Sequence, residues 1–240
     1  GHGIGRADEI HEAYYRKQYL TFLEALHVNH EMSNLQAMKI FEKLPSIKDS
    51  GESDVRLEYF IVKISSHIRS QVTSSGSAKT MASEAVTSAK WVLDTWTHLI
   101  QKEFGQIALN DLADPQRIVE LPPYTHFQEI LNNCGATVLC LDLIAINMDP
   151  QLILGAMKLL VVLLSGSGGN SMVQQSIFEW LYETDSAMFF EQMKDLLEQQ
   201  MMWCQRRAEM KATADRVDTL PDSILCLKVL SAMCDNFCLS

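Results

Sequence analysis

The stretch that decides the fold runs from Leu131 to Trp203. It opens Leu131-Asn-Asn-Cys-Gly135-Ala-Thr-Val-Leu-Cys140-Leu-Asp-Leu-Ile144. It continues Asp149-Pro-Gln-Leu-Ile-Leu-Gly155-Ala-Met-Lys-Leu-Leu-Val-Val-Leu-Leu164, breaks at Ser165-Gly-Ser-Gly-Gly-Asn170, and resumes Ser171-Met-Val-Gln-Gln-Ser-Ile-Phe-Glu-Trp180-Leu181. From Leu152 to Leu164 only Gly155 and Lys158 are not apolar. A helix that is hydrophobic almost all round needs neighbours on several sides. At about 1.5 Å per residue it is too short for a hydrocarbon core of roughly 30 Å. The pattern therefore predicts the central helix of a soluble helical stack. Asp149-Pro150 marks its start, with aspartate as N-cap and proline at the first helical position. The glycines of 166–170 mark its stop by supplying a left-handed C-cap, and Asn170 or Ser171 caps the next helix.

Helical periodicity extends outward from this stretch in both directions. Upstream it predicts helices over 8–27 (Tyr15, Tyr19, Phe22, Leu23, Leu26), 34–44 (Leu35, Met38, Phe41, Leu44), 55–72 and 78–104. The last carries Ala82, Ala85, Ala89, Val92, Trp96, Leu99 and Phe104 on its buried face. Phe60-Ile61-Val62 alone would suit a strand, but Ile64 and Ile68 continue a helical recurrence. Pro45 ends the second helix. Residues 46–53 read as a turn. The serine-rich loop 70–80, around Gly76, is open to phosphorylation. Pro115 and Pro122-Pro123 make 109–123 an irregular linker. It divides an N-terminal helical segment, 1–120, from a C-terminal block, 121–240. Downstream, helices over 124–132 and 136–146 flank Asn133-Cys134-Gly135. A helix over 171–182 turns Val173, Ile177, Trp180 and Leu181 inward. Asp185 caps the next, in which Phe189, Phe190, Met193, Leu196, Leu197 and Met201 recur. A last helix restarts at 220–223 and buries Ile224, Leu227, Leu230 and Met233. About nine helices, no strand and no strict period make an all-α, irregular α-solenoid.

Composition narrows the function classes. The 240 residues are 47% hydrophobic, enough for a sizeable core. The net charge of −10, with no basic cluster, argues against nucleic-acid or anionic-membrane binding. Six cysteines lie in apolar helical patterns, as reduced core thiols do. Cys234 and Cys238 share a helical face without making a metal site. His27 and His30 lie about one turn apart and fit a helix end better than zinc.

No catalytic constellation is found. Gly-x-Ser-x-Gly, His-Glu-x-x-His and the phosphate-loop pattern are all absent. The glycines near 166–170 follow no strand and precede no lysine, so they read as a helix stop rather than a phosphate cradle. Asp142, Asp149, Glu183 and Asp185 sit where capping accounts for them. The chain reads as a non-enzyme with no intrinsic cofactor.

The order Gly135-Ala136, Leu141-Asp-Leu-Ile144, a long apolar helix, Gly168-Gly-Asn-Ser-Met-Val-Gln-Gln-Ser176 and Phe189-Phe190 resembles the inositol trisphosphate receptors and ryanodine receptors. The part resembled, over about 131–235, is the cytosolic armadillo-like helical region that precedes the pore of these intracellular calcium-release channels. Ser165-Gly166-Ser167 stands where the family has Leu-Glu, so this loop is longer. The resemblance implies an armadillo-like solenoid on the cytosolic face of the endoplasmic reticulum membrane. It also implies homotetramers of the full-length protein, other domains of the same channel as partners, and no membrane contact by this segment. Leu230-Ser-Ala-Met-Cys-Asp235-Asn236 matches the family's Leu-x-x-Leu-Cys-Glu-Asn, whose glutamate contributes to a calcium-activation site. Asp235 would be the partial calcium ligand, with calcium as regulator. One carboxylate is far short of the roughly six to eight oxygens calcium takes.

Two functions follow. The chain is a regulatory helical segment that passes ligand-induced movement to a pore, or a free-standing α-solenoid adaptor that binds a protein partner in a concave groove.

Overall fold

A computed structural model describes residues 3–26, 30–49, 55–74, 83–111, 124–146, 149–166, 169–184, 186–209 and 223–234. Among them are ten α-helices and no strand. The helices are α1 (Gly3–Leu26), α2 (His30–Lys43), α3 (Leu57–Ser74), α4 (Ser83–Asp111), α5 (His126–Asn133), α6 (Ala136–Ile146), α7 (Pro150–Leu164), α8 (Ser171–Glu183), α9 (Ala187–Glu209) and α10 (Ser223–Cys234). The all-α expectation holds, with ten described helices against about nine. α6 has the expected bounds. α1 and α2 begin earlier than periodicity indicated, and α4 begins later, at Ser83, and runs on to Asp111. Residues 109–111 are thereby helix, not linker.

The apolar helix is the centre of the molecule. α7 packs against α4, α6, α8 and α10. Only Pro150 and Gln151 in its first turn, and Lys158, are exposed. Asp149 caps it, its Oδ1 accepting from Gln151 N–H at 2.7 Å. Gly155 is where α4 comes close: a Cβ there would lie 3.2 Å from Leu93 Cδ1. The core is continuous across the position of the expected 120/121 division, since α4 and α7 lie on either side of it and share a large interface. The division itself falls outside the described residues.

Helix order and helix neighbours are closely related. Among the described residues, every pair in substantial contact lies at most three helices apart in the chain. α1, α4, α7 and α10 form one column of successive contacts, and α3, α6 and α9 a second. At the N-terminal end, Phe60 of α3 meets Tyr14 and Tyr15 of α1 edge-on, and Phe41 of α2 at 5.4 Å. Phe41 also meets Trp96 of α4 edge-on. Such pairs add to the area they bury.

Two expected buried faces are rotated. On α10 the buried residues are Cys226 and Val229, with Leu225, Leu230, Ala232 and Met233 packed beside them, whereas Leu227 is 51% exposed. On α9, Phe189 and Met193 are buried, but Phe190 and Met201 are 48% and 56% exposed. A run that is apolar on several faces does not specify which face is inward. No single described helix is long and apolar enough to cross a membrane.

Candidate functional site: a polar joint around α8

The break after α7 is built differently from the glycine C-cap expected at Gly166. Ser165 is the C-cap, in an extended conformation, and the positive φ falls at Gly169, at 85°. The last four carbonyls of a helix have no partner within it. Here each finds one. Ser165 Oγ donates to Val161 O at 2.7 Å. Ser165 N–H and Gln128 Nε2 donate to Val162 O. Gln128 Nε2 and Asn170 Nδ2 both lie 3.1 Å from Leu163 O. Asn170 N–H donates to Leu164 O at 3.2 Å. Gln128 Nε2 also reaches Ser165 O at 2.6 Å.

Asn170 works in both directions. Its Nδ2 closes α7, and its Oδ1 accepts from Val173 N–H to open α8. Of the two N-caps expected there, Asn170 is the one used, and it is fully buried. Gln128 is also fully buried and belongs to a capping box, exchanging hydrogen bonds with the N-cap Thr125 at the start of α5. From α4, the Glu103 carboxylate accepts from His126 and Phe127 N–H at the same helix end. The end of α7, the start of α8 and the start of α5 are thus one hydrogen-bonded unit.

The remainder of α8 is keyed to two further helices. Val173, Ile177 and Trp180 are buried as expected, with Leu181 half-buried. Gln174 Nε2 donates to Ala232 O of α10 at 3.1 Å. Trp180 Nε1 donates to Asp142 Oδ1 of α6 at 2.9 Å, and Asp142 Oδ2 lies 3.3 Å from Arg69 Nε of α3. Asp142 is therefore an inter-helix bridge in the middle of α6, not a cap. Asp149 caps as expected, and Asp185 lies outside the described residues.

No member of this unit is a nucleophile next to a base. Its amides and the carboxylates of Glu103 and Asp142 fix the positions of the helices they join. Burial pushes the Cys134 and Cys226 thiols up to about 11, and that of Cys140 higher still. Among the described residues there is no group of three or more histidines, cysteines or acidic residues that could hold a metal. Asp235, Cys238 and His27 lie outside the described residues. His30 opens α2, the positive pole rather than the expected negative one. α10 itself contains no carboxylate.

The sequence reading missed Gln128, Arg69 and the role of Asp142. Thr125-His-Phe-Gln128 is a capping-box pattern and could have been recognised. A lone aspartate inside Leu141-Asp142-Leu143 also called for a partner, because a charge on an apolar helix is costly unless paired. No family model matches the chain, and no curated protein and no solved structure matches it.

Proposed function

We propose that this chain is a regulatory, armadillo-like segment of an intracellular ligand-gated calcium-release channel, passing ligand-induced movement to the pore. The reading rests on the resemblance centred on Gly168-Gly-Asn-Ser-Met-Val-Gln-Gln-Ser176. The observation that carries it is the use made of that stretch. Asn170 closes α7 and opens α8, Val173 enters the core, and Gln174 reaches α10. A sequence that joins helices in this way couples their positions. Among the described residues, substantial contacts between helices at most three apart also suit a solenoid of three-helix steps. In such a stack, a rotation imposed at one end is handed on through packed layers. Asp235 would supply one carboxylate to a calcium-sensing site completed by other domains of the channel. The full-length protein would be a homotetramer, with this segment on the cytosolic face of the endoplasmic reticulum membrane.

Calcium efflux from microsomes carrying the full-length protein tests the reading. Ligand-triggered efflux is expected, and Asn170→Ala should demand more ligand for the same flux. A full-length protein that releases no calcium and has no cluster of apolar segments of about 20 residues would favour the adaptor instead.

A further inference from the structure

The outer face of α8 breaks three local rules at once. Val173, Gln174, Ile177 and Trp180 take the buried side of this helix, and two parallel rows remain outside. One row is aromatic. Phe178 and Tyr182, 52% and 84% exposed, stack one turn apart with ring centroids at 6.4 Å and planes 18° apart. The other row, one residue round the helix, is acidic: Glu179 and Glu183 are both exposed. α8 contains no lysine, arginine or histidine. Glu179 accepts from Gln175 Nε2 at 2.9 Å, and among the described residues no ion pair reaches either carboxylate. Like charges at i and i+4 destabilise a helix. Glu183, the last residue of α8, also meets the negative pole of the helix dipole. Large exposed rings gain nothing from burial.

We propose that this face docks a basic segment from outside these 240 residues, carrying two arginines about one helical turn apart. The occupant follows from charge. Ring faces, carboxylates and a helix C-terminus all attract positive charge, so one kind of partner offsets all three unfavourable features. Local rules broken without local compensation are what a functional surface shows. Arginine suits it better than lysine, because a planar guanidinium stacks on a ring and forks to a carboxylate. Two rings and two carboxylates, each pair about 5.4 Å apart along the axis, provide for two such groups held on one chain. The face belongs to α8 alone and is independent of the channel reading, which calcium efflux judges.

The probe is a labelled, alanine-rich helix of about 16 residues with arginines at i and i+4, beside isomers with lysine or glutamine at those positions. Fluorescence anisotropy with the 240-residue chain should give saturable, salt-sensitive binding of the arginine peptide, weaker binding of the lysine peptide and none of the glutamine peptide. Glu179→Gln with Glu183→Gln should weaken binding at least about fivefold. Tyr182→Leu should weaken it about threefold, since leucine keeps apolar area without the negative ring face. The double glutamine variant should melt no lower than the parent, because the like-charge row is gone. Glu9→Gln with Glu84→Gln, which removes the same charge from exposed positions of α1 and α4, should bind as the parent does. No saturable binding, equal affinity for the lysine peptide, or an equal loss in that control would overturn the proposal. A lower melting temperature in the double glutamine variant would also overturn it, by assigning the face to a cation of this chain. Concentration-dependent doubling of mass in sedimentation, abolished by Tyr182→Leu, would do the same by assigning it to a second copy.

Discussion

Gln128 has one side-chain amide, and three carbonyl oxygens at the end of α7 lie within hydrogen-bonding distance of it. Gln128→Glu keeps the shape and removes both donors, setting a carboxylate against those oxygens. Burial and the carbonyls should hold the new carboxyl well above the usual carboxylate range. The folded form then binds more protons than the unfolded one, so stability falls as pH rises through that interval. Denaturant melts should therefore give Gln128→Glu a larger deficit at pH 7 than at pH 4. A deficit independent of pH would deny that the amide faces the helix end. Trp180 combines packing with a single polar contact. It is buried, edge-on to Phe189 at 5.8 Å, and donates to Asp142. Trp180→Ala should cost about 3–5 kcal/mol, as truncation of buried aromatics does. Trp180→Phe should cost only about 1 kcal/mol, since Asp142 keeps its pairing with Arg69. An unshifted melt for Trp180→Ala would refute the core assignment. That Trp180 is buried was legible from its spacing with Val173 and Ile177. Its partner was not, because Asp142 is 38 residues away and no local pattern joins the two.

At the scale of elements, α7 was the most legible because its chemistry is the least ambiguous. Asp149-Pro150 opens it, and its apolar circumference requires burial whatever the neighbours are. Its end was legible as a break but not in its geometry. The expected glycine cap became an extended Ser165 closed by side chains from α5 and from the loop. α9 and α10 show the opposite case. With apolar residues on more than one face, only tertiary packing selects the inward one, and it leaves Phe190, Met201 and Leu227 outside. Close approach sets the spacing of α4 and α7. Gly155→Val would put methyl groups where Leu93 Cδ1 already stands 3.2 Å from a Cβ, and Leu93 is fully buried. Overpacking of this kind costs about 1–3 kcal/mol. Thermal melts should show the loss, and Leu93→Ala in the same chain should recover part of it. A Gly155→Val chain as stable as the parent would mean the two helices are not so close.

At the scale of the whole molecule, two columns of helices share one continuous core. The class of fold was legible because helical periodicity and the absence of strand signals agree along the chain. The columns were not legible, since which helices meet is decided by packing between distant residues. The calcium role proposed for Asp235 also belongs to this scale. A calcium titration of the isolated chain by calorimetry should show no submicromolar site, because one carboxylate supplies a small part of the roughly six to eight oxygens required. Tight binding would place a whole site within these 240 residues. The most direct test of the central claim, that α7 and its polar joint bind both halves into one mechanical unit, is hydrogen exchange of the native chain along a denaturant series. Amides of α4, α6, α7 and α8 should converge on one opening free energy and one denaturant dependence, as in a single cooperative unit. Opening of α4 separately from α7, at markedly lower free energy, would contradict it.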